Sequence, residues 1–315
     1  MQPLLFRVLR YLTGPDRVIL LLLLVVWGCT GQAEKKTPPE TVTSLIDGLG
    51  RKITLKHPPK RVMALAPSMT EMLFAVCDTG QVVAVTQNCD YPPSAKTKPV
   101  VNNYPMDFES LLRAKPDLVF TVEGMTSPDD ARRMEAMGIP VYYQRYLRVE
   151  DIFKGLQTIG QLTGNEKRSQ QLADSLRKLT IAIEKQTQSL PRPKVLSITW
   201  PDPIYVYGKN TILTDKLRIA GARNAVDTVL DAPYPALTRE YVLKINPDII
   251  LGGSFEKMDS SFFRMYPELK KTNAYRNRRV YAVTDDLNSR PSPRVVEALA
   301  ELKRLIHPTP GGNGY

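Results

Sequence analysis

Histidine and cysteine are scarce in this chain of 315 residues, which has two histidines and three cysteines. The histidines, His57 and His307, stand far apart, and no cysteine or histidine pair has the spacing of a zinc site. The sequence therefore predicts neither a metal centre nor a resident cofactor. Cys77 lies in an apolar helical stretch, where it could pack as a small hydrophobic side chain. It could also pair with Cys89 in an oxidising compartment.

Long blocks of like charge and familiar catalytic motifs are also missing. The net charge is +11, but the basic residues are mixed with acidic ones, as in NEKRSQQLADSLRKL. No zinc-knuckle, RNP-type or helix-turn-helix signature is present, so a solvated basic surface explains the surplus and we expect no nucleic-acid partner. The chain also has no Gly-x-Ser-x-Gly elbow, phosphate-cradling loop or metal-binding helix motif. It is therefore predicted not to be an enzyme.

No apolar run in the chain is long enough for a membrane-spanning helix, which needs about 20 residues. The run VILLLLLVVWG follows three arginines and ends directly before Cys29, as in a bacterial lipoprotein signal. We predict that residues 1–28 are a signal peptide and that residues 29–41 are a lipidated cysteine and its tether. The mature protein would then be exported and anchored to a membrane, facing the periplasm or the cell exterior. A plain signal peptide is the alternative.

Two parts of the chain alternate short apolar runs with helical segments. Residues 42–147 contain the buried strand RVMALAP, followed by a helix for which Ser68 and Glu71 have the spacing of a capping box. Residues 192–307 restart the alternation with KVLSITW. Alternation with short links predicts parallel sheets covered by helices.

The part between them, residues 148–191, shows helical periodicity alone. Its second piece predicts one helix of about 26 residues, or about 39 Å. A helix of that length could bridge two lobes rigidly. Residues 308–315 are predicted to be a flexible tail.

One segment occurs twice in the chain. ESLLRAKPDLV spans residues 109–119 and EYVLKINPDII spans residues 240–250. Two strand landmarks recur in the same order around it, which favours a duplication over a chance likeness between α/β lobes. The predicted fold is therefore α/β, with two Rossmann-like lobes that contain parallel sheets and are joined by one long rigid interdomain helix.

The loops after the predicted strands are rich in aromatic side chains. Ligands of open parallel sheets bind beyond the carboxyl ends of the strands, so two facing lobes would form a cleft from these loops. Broad amphipathic rings suit a flat, partly polar small molecule. Asp286 and Arg290, in a proline-rich loop, could clamp its polar edges or form a local surface ion pair. The aromatic residues of these loops are Tyr91, Tyr104, Trp200, Tyr205, Tyr207 and Tyr234.

Glu109 and Glu240 open the two copies of the repeated segment, each near the start of a predicted helix. A carboxylate there interacts favourably with the helix dipole, which is a sufficient reason for either residue alone. Two exposed carboxylates, one in each lobe, could instead report the lobe separation to a partner that carries arginines.

Five segments carry a resemblance to a known class of proteins: RVMALAPSMTEMLFA, CDYPPSAK, FESLLRAKPDLVF, LTREYVLKINPDIIL and RPSPRVVEAL. On these segments, which recur in order, the chain resembles the vitamin B12/iron-siderophore class of substrate-binding proteins over residues 42–307. Within that class it is most similar to the vitamin B12-binding components of ABC importers. The resemblance implies two lobes bridged by one long helix, with little closure motion. It also implies that Glu109 and Glu240 dock into arginine pockets of a permease dimer.

The resemblance further implies a ligand and its contacts. The expected ligand is a cobalamin-like corrinoid or another metal chelate, and we expect the binding protein to be a monomer. Asn88 and Val122 stand where B12-binding members can carry aromatic residues, so the ligand could differ from theirs. The residues expected to contact it are Tyr91, Tyr104, Trp200, Tyr205, Tyr234, Asp286 and Arg290.

Three alternatives remain open from the sequence. A ferric-siderophore receptor belongs to the same class. Haem is less favoured, because neither histidine lies in a predicted cleft loop and a tyrosine would have to ligate the iron. An enzyme or a sensor on the same two-lobed scaffold is the alternative from a different class, since fold alone does not fix function.

Overall fold

The computed structural model describes residues 42–226, 228–230 and 232–308. The predicted signal peptide, Cys29 with its tether, and all but the first residue of the predicted tail lie outside the described residues. Within the described residues, no helix combines the length and apolar character that crossing a bilayer requires.

The first lobe is built on a four-stranded parallel sheet in the order β4-β3-β5-β6. Its strands are short and almost fully buried, as expected for a parallel sheet with helices on both faces. An antiparallel hairpin of two strands precedes it. The elements are β1 (Thr43–Ile46), β2 (Lys52–Leu55), β3 (Val62–Ala64), α1 (Pro67–Val76), β4 (Val82–Ala84), α2 (Phe108–Ala114), β5 (Leu118–Val122), α3 (Pro128–Ala136) and β6 (Val141–Gln144), with a 3-10 turn at Pro93–Thr97.

Two antiparallel helices follow, α4 (Val149–Thr163) and α5 (Glu166–Thr187), and Gly164 in the left-handed conformation turns the chain between them. They approach closely where Gly160 faces Ser169, because a Cβ atom at Gly160 would overlap the Ser169 hydroxyl. The 22 residues of α5 span about 33 Å at 1.5 Å per residue. The helix is therefore somewhat shorter than the sequence predicts.

The second lobe contains a mixed sheet in the order β10-β8-β7-β11-β12, with β9 paired to β7. The parallel strands β7, β9, β11 and β12 match the expectation, whereas the sequence did not indicate that β8 and β10 run antiparallel at one edge. The strands are β7 (Lys194–Trp200), β8 (Ile204–Val206), β9 (Arg223–Asn224), β10 (Ala236–Leu237), β11 (Ile249–Leu251) and β12 (Val280–Tyr281). The helices are α6 (Ile212–Ile219), α7 (Arg239–Ile245), α8 (Phe255–Ser260), α9 (Phe262–Met265), α10 (Asn273–Arg276), α11 (Asp285–Ser289) and α12 (Val295–Ile306), with a 3-10 turn at Pro267–Lys271.

One hydrophobic core crosses from the first lobe to the second. Met69 of α1 and Phe153 of α4 belong to the same buried cluster as Ile212 of α6 and Leu299 of α12. Burial of apolar surface stabilises by about 25 cal/mol per Å², so separating the lobes would expose this shared core. A continuous core supports the expectation of little closure motion.

The repeated segment builds the same local structure in both lobes. Helix α2 begins at the N-cap Asp107 and ends at Lys115, and helix α7 begins at the N-cap Thr238 and ends at Asn246, both ends being left-handed. The aspartate after each proline then accepts a hydrogen bond from the backbone N–H at the start of the neighbouring strand. Asp117 Oδ2 accepts from Lys60 and Arg61, each at 2.9 Å, and Asp248 Oδ2 accepts from Lys194 at 2.9 Å. In both lobes, the duplicated segment thus uses the aspartate after the helix to bind the backbone at the start of a neighbouring strand.

Two details of the sequence analysis are settled by the local geometry. The capping box is wrong: α1 begins at Pro67 after the N-cap Ala66, with no side-chain cap, because proline suits the first helical position. Glu71 is buried instead. Cys77 and Cys89 are free, buried thiols. Burial raises the pKa of Cys77 to about 11, which keeps it unreactive at neutral pH.

Candidate ligand-binding cleft

A cleft of about 790 Å³ lies between the lobes, at the ends of the strands where ligands of parallel sheets bind. Loops that follow β3, β5 and β6 line it from the first lobe. Loops around α6, β10 and α11 line it from the second lobe. The lining segments are Ala66–Ser68, Val122–Met125, Arg145–Leu147, Tyr207, Lys209–Ile212, Leu230, Ala232–Tyr234 and Ser289–Pro291.

An aromatic pair forms part of the wall contributed by the second lobe. The rings of Tyr207 and Tyr234 meet edge to face, with centroids 5.4 Å apart. The backbone holds the two loops together, because the Gly208 N–H donates to Pro233 O at 2.8 Å. Burial raises the pKa of Tyr207 to about 12 and raises that of Tyr234 as well. Both rings therefore present neutral phenols to a ligand at physiological pH.

Arg290 of the cleft wall joins the two lobes through carboxylates. Its guanidinium lies 3.0 Å from Glu71, 3.0 Å from Asp90 and 2.7 Å from Asp286. The predicted pair of Asp286 and Arg290 is thus present, but it is one part of a larger network. Glu71 also binds Arg294 at 2.6 Å, and this hydrogen bond raises the pKa of Arg294.

The Glu71 side chain is only 1% exposed, so its charge is compensated by two guanidinium groups rather than by water. Both groups belong to the second lobe. Glu71 therefore ties α1 of the first lobe to the segment that carries Arg290.

Lys216 of α6 fixes the same segment from inside the second lobe. The residue is fully buried, and its ammonium group donates to the carbonyl oxygens of Leu287 and Asn288 at 2.9 Å and of Arg290 at 3.3 Å. Burial lowers the pKa of Lys216 to about 7. The end of α11, and with it the backbone of Arg290, is held by this one side chain.

Of the residues expected to contact a ligand, the structure brings Tyr234 and Arg290 to the cleft. Tyr104 is 90% exposed and Trp200 is 60% exposed, and neither lines this cavity. Trp200 donates its indole N–H to Asp202 O at 2.9 Å. Tyr91 lies under the Arg294 guanidinium, 4.2 Å from ring centroid to carbon.

Tyr205 and Asp286 also lie outside the cavity lining, Tyr205 in β8 and Asp286 in α11. Of the two positions noted as departures, Val122 lines the cleft and Asn88 accepts a long hydrogen bond from Arg290 at 3.5 Å through its carbonyl oxygen.

Several cleft residues were not singled out by the sequence analysis. Tyr207 was noted as a loop aromatic but not selected as a site residue, although the sequence YVYGKN places it directly before a glycine turn. Arg145 ends a predicted strand and pairs with Glu123 at 2.7 Å. Lys209 had no motif to mark it. A carboxylate in the apolar run MTEMLFA was a visible signal that Glu71 needs a buried partner.

Comparison with known proteins identifies the family of this chain. A model of the periplasmic binding protein family matches residues 62–287. The chain belongs to this family.

Three similar proteins show its breadth. The uncharacterized ABC transporter substrate-binding lipoprotein YvrC of Bacillus subtilis is 29% identical over 284 residues, covering 88% of this chain and 89% of that protein. The cobalamin-binding protein of Halobacterium salinarum is 28% identical over 277 residues, covering 84% and 73%. The structure of a possible iron-binding periplasmic protein of Staphylococcus epidermidis has a TM-score of 0.71 at 28% identity, covering 79% of this chain and 99% of that one.

These similarities confirm several predictions. The fold is that of the two-lobed periplasmic binding proteins. The protein is a periplasmic binding protein of the ABC transporter substrate-binding kind, and it is not an enzyme.

The two glutamates of the repeated segment are exposed on the surface. Glu109 pairs with Arg113 at 2.7 Å within α2, and Glu240 pairs with Arg239 at 3.0 Å in α7. A hydrogen bond from its own backbone N–H is the largest cause of the lowered pKa of Glu240. Both carboxylates lie on the surface, with side chains 82% and 70% exposed, and are accessible to another protein.

Metal ligation has no obvious site in the described residues, where no three histidine, cysteine, aspartate or glutamate side chains come together. His307 lies away from the cleft, with its Nε2 atom 3.2 Å from Gly221 O.

Proposed function

We propose that this protein binds a cobalamin-like corrinoid in the interlobe cleft and delivers it to the permease dimer of an ABC importer. The observation that carries the proposal is the wall formed by Tyr207 and Tyr234 opposite the apolar side chains of Val122, Met125 and Leu147. Paired rings on one side and apolar side chains on the other can cover the face of a large flat ligand.

The proportions of the cleft support this choice. A volume of about 790 Å³ falls in the range of about 300–1,000 Å³ typical of small-molecule sites. Because the cleft is open, a corrinoid could leave its edges in solvent. The named cobalamin-binding relative, which is similar over 84% of the chain, supports the same ligand class.

A ferric siderophore is the second candidate. The similarity to a possible iron-binding protein favours it, and so do the cations at the cleft rim, Arg145, Lys209 and Arg290. Haem is less favoured, because neither histidine lines the cleft and a tyrosine would have to ligate the iron.

Delivery requires that the protein stay near its transporter and recognise it. We propose that Cys29 carries the lipid anchor, because an apolar run and a small residue precede it. We expect the binding protein to reach the permease dimer as a monomer. Glu109 and Glu240 would then bind arginines of the permease. Exposed charges of this kind act mainly on orientation and association rate.

The decisive experiment is a calorimetric titration of the full chain in detergent with cyanocobalamin, a ferric hydroxamate and haemin. We expect submicromolar binding of cyanocobalamin. Tyr207→Ala should weaken corrinoid binding by about 1–3 kcal/mol, since it removes one ring of the wall. Tyr275→Ala, an aromatic change in the second-lobe core away from the cleft, is the control for indirect effects.

Tight binding of the ferric hydroxamate with no binding of cyanocobalamin would transfer the proposal to the second candidate. Anchoring is tested separately, because Cys29→Ser should abolish labelling of the protein by palmitate. Unchanged labelling would refute the lipoprotein assignment.

A further inference from the structure

A second cavity of about 540 Å³ opens beside the cleft. The linings of the two cavities share Leu147 and the loop Lys209–Thr211, so the cavities adjoin at this loop. We call the second cavity the side cavity. Its other lining residues are Arg148, Arg192, Thr214, Asp215, Arg218, Ala222, Arg223, Asn224 and Val226.

The described lining of the side cavity is strongly basic. Five cationic side chains, Arg148, Arg192, Lys209, Arg218 and Arg223, face one carboxylate, Asp215. In the cleft, by contrast, Arg145 and Arg290 both bind carboxylates. Among the described residues that line the two cavities, the cations without a carboxylate partner are therefore found mainly in the side cavity.

The single carboxylate of the side cavity is already occupied. Asp215 Oδ1 binds Arg218 at 2.8 Å, and its Oδ2 accepts the Val149 N–H at 2.8 Å. Within the described part of the chain, Arg218 is the one cation of the side cavity that has a carboxylate at ion-pair distance. The cations thus left without a counter-charge from these residues are Arg148, Arg192, Lys209 and Arg223.

The loop that presents Lys209 is held in a fixed conformation. Buried Asn224 donates to the carbonyl oxygens of Tyr207 and Gly208 at 3.0 and 3.2 Å and to Thr214 Oγ1 at 2.9 Å. Thr211 Oγ1 donates to Gly208 O at 2.9 Å. Because the backbone is fixed, Lys209 and the hydroxyl groups beside it need little reorganisation to meet a ligand.

We propose that the side cavity binds a negatively charged arm, a phosphate or carboxylate group, of the ligand whose ring occupies the cleft. The inference rests on the proposed function, since it places the ring of a corrinoid against Tyr207 and Tyr234. Charged donors form the stronger hydrogen bonds to oxyanions, and arginine can bind one through two parallel N–H groups. The site therefore favours corrinoids that carry a phosphate arm over those that lack it.

The test compares two ligands that differ by one phosphate, cobinamide and cobinamide phosphate, on the full chain in detergent. Wild-type protein should bind cobinamide phosphate about tenfold more tightly, and higher ionic strength should reduce this preference. Lys209→Gln/Arg223→Gln should remove the preference. Arg223→Gln, which changes a residue outside the cleft, should reduce the preference and leave the affinity for cobinamide within about twofold. Lys178→Gln/Arg264→Gln, which removes two exposed charges outside both cavities, should keep it.

Two results would overturn the inference while leaving the proposed function intact. One is equal wild-type affinity for the two corrinoids, and the other is an equal loss of both ligands in Lys209→Gln/Arg223→Gln. If the wild-type protein binds neither corrinoid, the proposed function fails. Inorganic phosphate followed by phosphorus NMR then decides the anion site. Line broadening by the wild type and the control, but not by Lys209→Gln/Arg223→Gln, would support it, and no broadening would refute it.

Discussion

The first helix of each lobe buries one charged residue, and the two charges have opposite sign. Glu71 of α1 is bound by the side chains of Arg290 and Arg294. Lys216 of α6 is bound by main-chain carbonyl oxygens at the end of α11. Both therefore act on one segment, residues 287–294, but Glu71 reaches it from the other lobe and Lys216 from its own.

The difference between the partners assigns a different task to each charge. Carbonyl oxygens cannot move without the backbone, so Lys216 fixes the shape of the segment inside the second lobe. Arginine side chains are long, so Glu71 fixes the position of that segment against the first lobe. Buried ion pairs contribute little net stability, but removing one member leaves the others uncompensated. The joint between the lobes is thus specific, and it is sensitive to the loss of one charge.

The largest expected effect comes from breaking the joint between the lobes. Glu71→Gln leaves Arg290 and Arg294 without their shared buried carboxylate and should lower the free energy of unfolding by about 3–5 kcal/mol. Chemical denaturation at neutral pH measures this change. Asp90→Asn removes a more exposed partner of Arg290 and should cost at most about 1 kcal/mol. Equal costs for the two variants would contradict the special role of Glu71.

The buried Lys216 should make the free energy of unfolding depend on pH. Burial lowers the pKa of Lys216 to about 7 in the folded protein, whereas an exposed lysine has a pKa of about 10.5. Between these values the unfolded chain binds more protons, so the free energy of unfolding rises with pH. Below pH 7 the lysine is charged in both states and its burial cost is complete.

Lys216→Met should therefore lack this rise. The difference in unfolding free energy between wild type and variant should change by on the order of 3 kcal/mol from pH 7 to pH 10. Subtracting the variant removes the contributions of other groups that titrate in this range. Parallel curves for the two proteins would show that Lys216 keeps its proton throughout.

The two lobes also differ at the repeated Pro-Asp pairs, where the expected effects on stability are smaller. Asp248 accepts hydrogen bonds from Lys194 N and from Asn273 Nδ2 at 3.1 Å in a partly buried site, whereas the bonds of Asp117 are exposed. Asp248→Ala should lower stability by about 1.5–3 kcal/mol and Asp117→Ala by about 1 kcal/mol. Thermal unfolding of both variants measures the difference. A larger loss of stability in Asp117→Ala than in Asp248→Ala would mean that burial does not determine the strength of these hydrogen bonds.

The smallest effect on stability is expected at the glutamates that open the repeated segment. Glu109→Gln and Glu240→Gln should each cost at most about 1 kcal/mol, because both carboxylates are exposed near helix starts. Import of ligand into reconstituted proteoliposomes should nevertheless be lost in the double variant, while its ligand affinity stays that of wild type. Normal import would show that the chain repeats its glutamate only because it repeats its fold.

Much of the fold could be predicted because it follows from local chemistry. Apolar runs such as RVMALAP form buried parallel strands, and the Pro-Asp pairs mark the passage from helix to strand in both lobes. The antiparallel edge strands β8 and β10 could not be read in the same way. They are three and two residues long, respectively, too short for a periodic pattern.

The site was only partly predictable. The abundance of aromatic residues in the loops after strands indicated a cleft, and Tyr234 and Arg290 do line it. Tyr104 and Trp200 were indistinguishable from them by sequence, yet they lie outside this cavity. Which loop faces the opposite lobe depends on tertiary packing, that is, on contacts between residues that are distant in the chain.

The sequence alone determined the two α/β lobes, the connecting helices and the exposed glutamates, because short-range periodicity and turn chemistry specify these features. Tertiary structure alone decided that Glu71 binds Arg290 and Arg294 instead of capping its own helix. These arginines follow it by 219 and 223 residues in the chain. Tertiary structure also decided that Tyr207 and Tyr234 form the wall. A buried charge or ring takes the partner that desolvation forces on it, and only the folded chain brings that partner within reach.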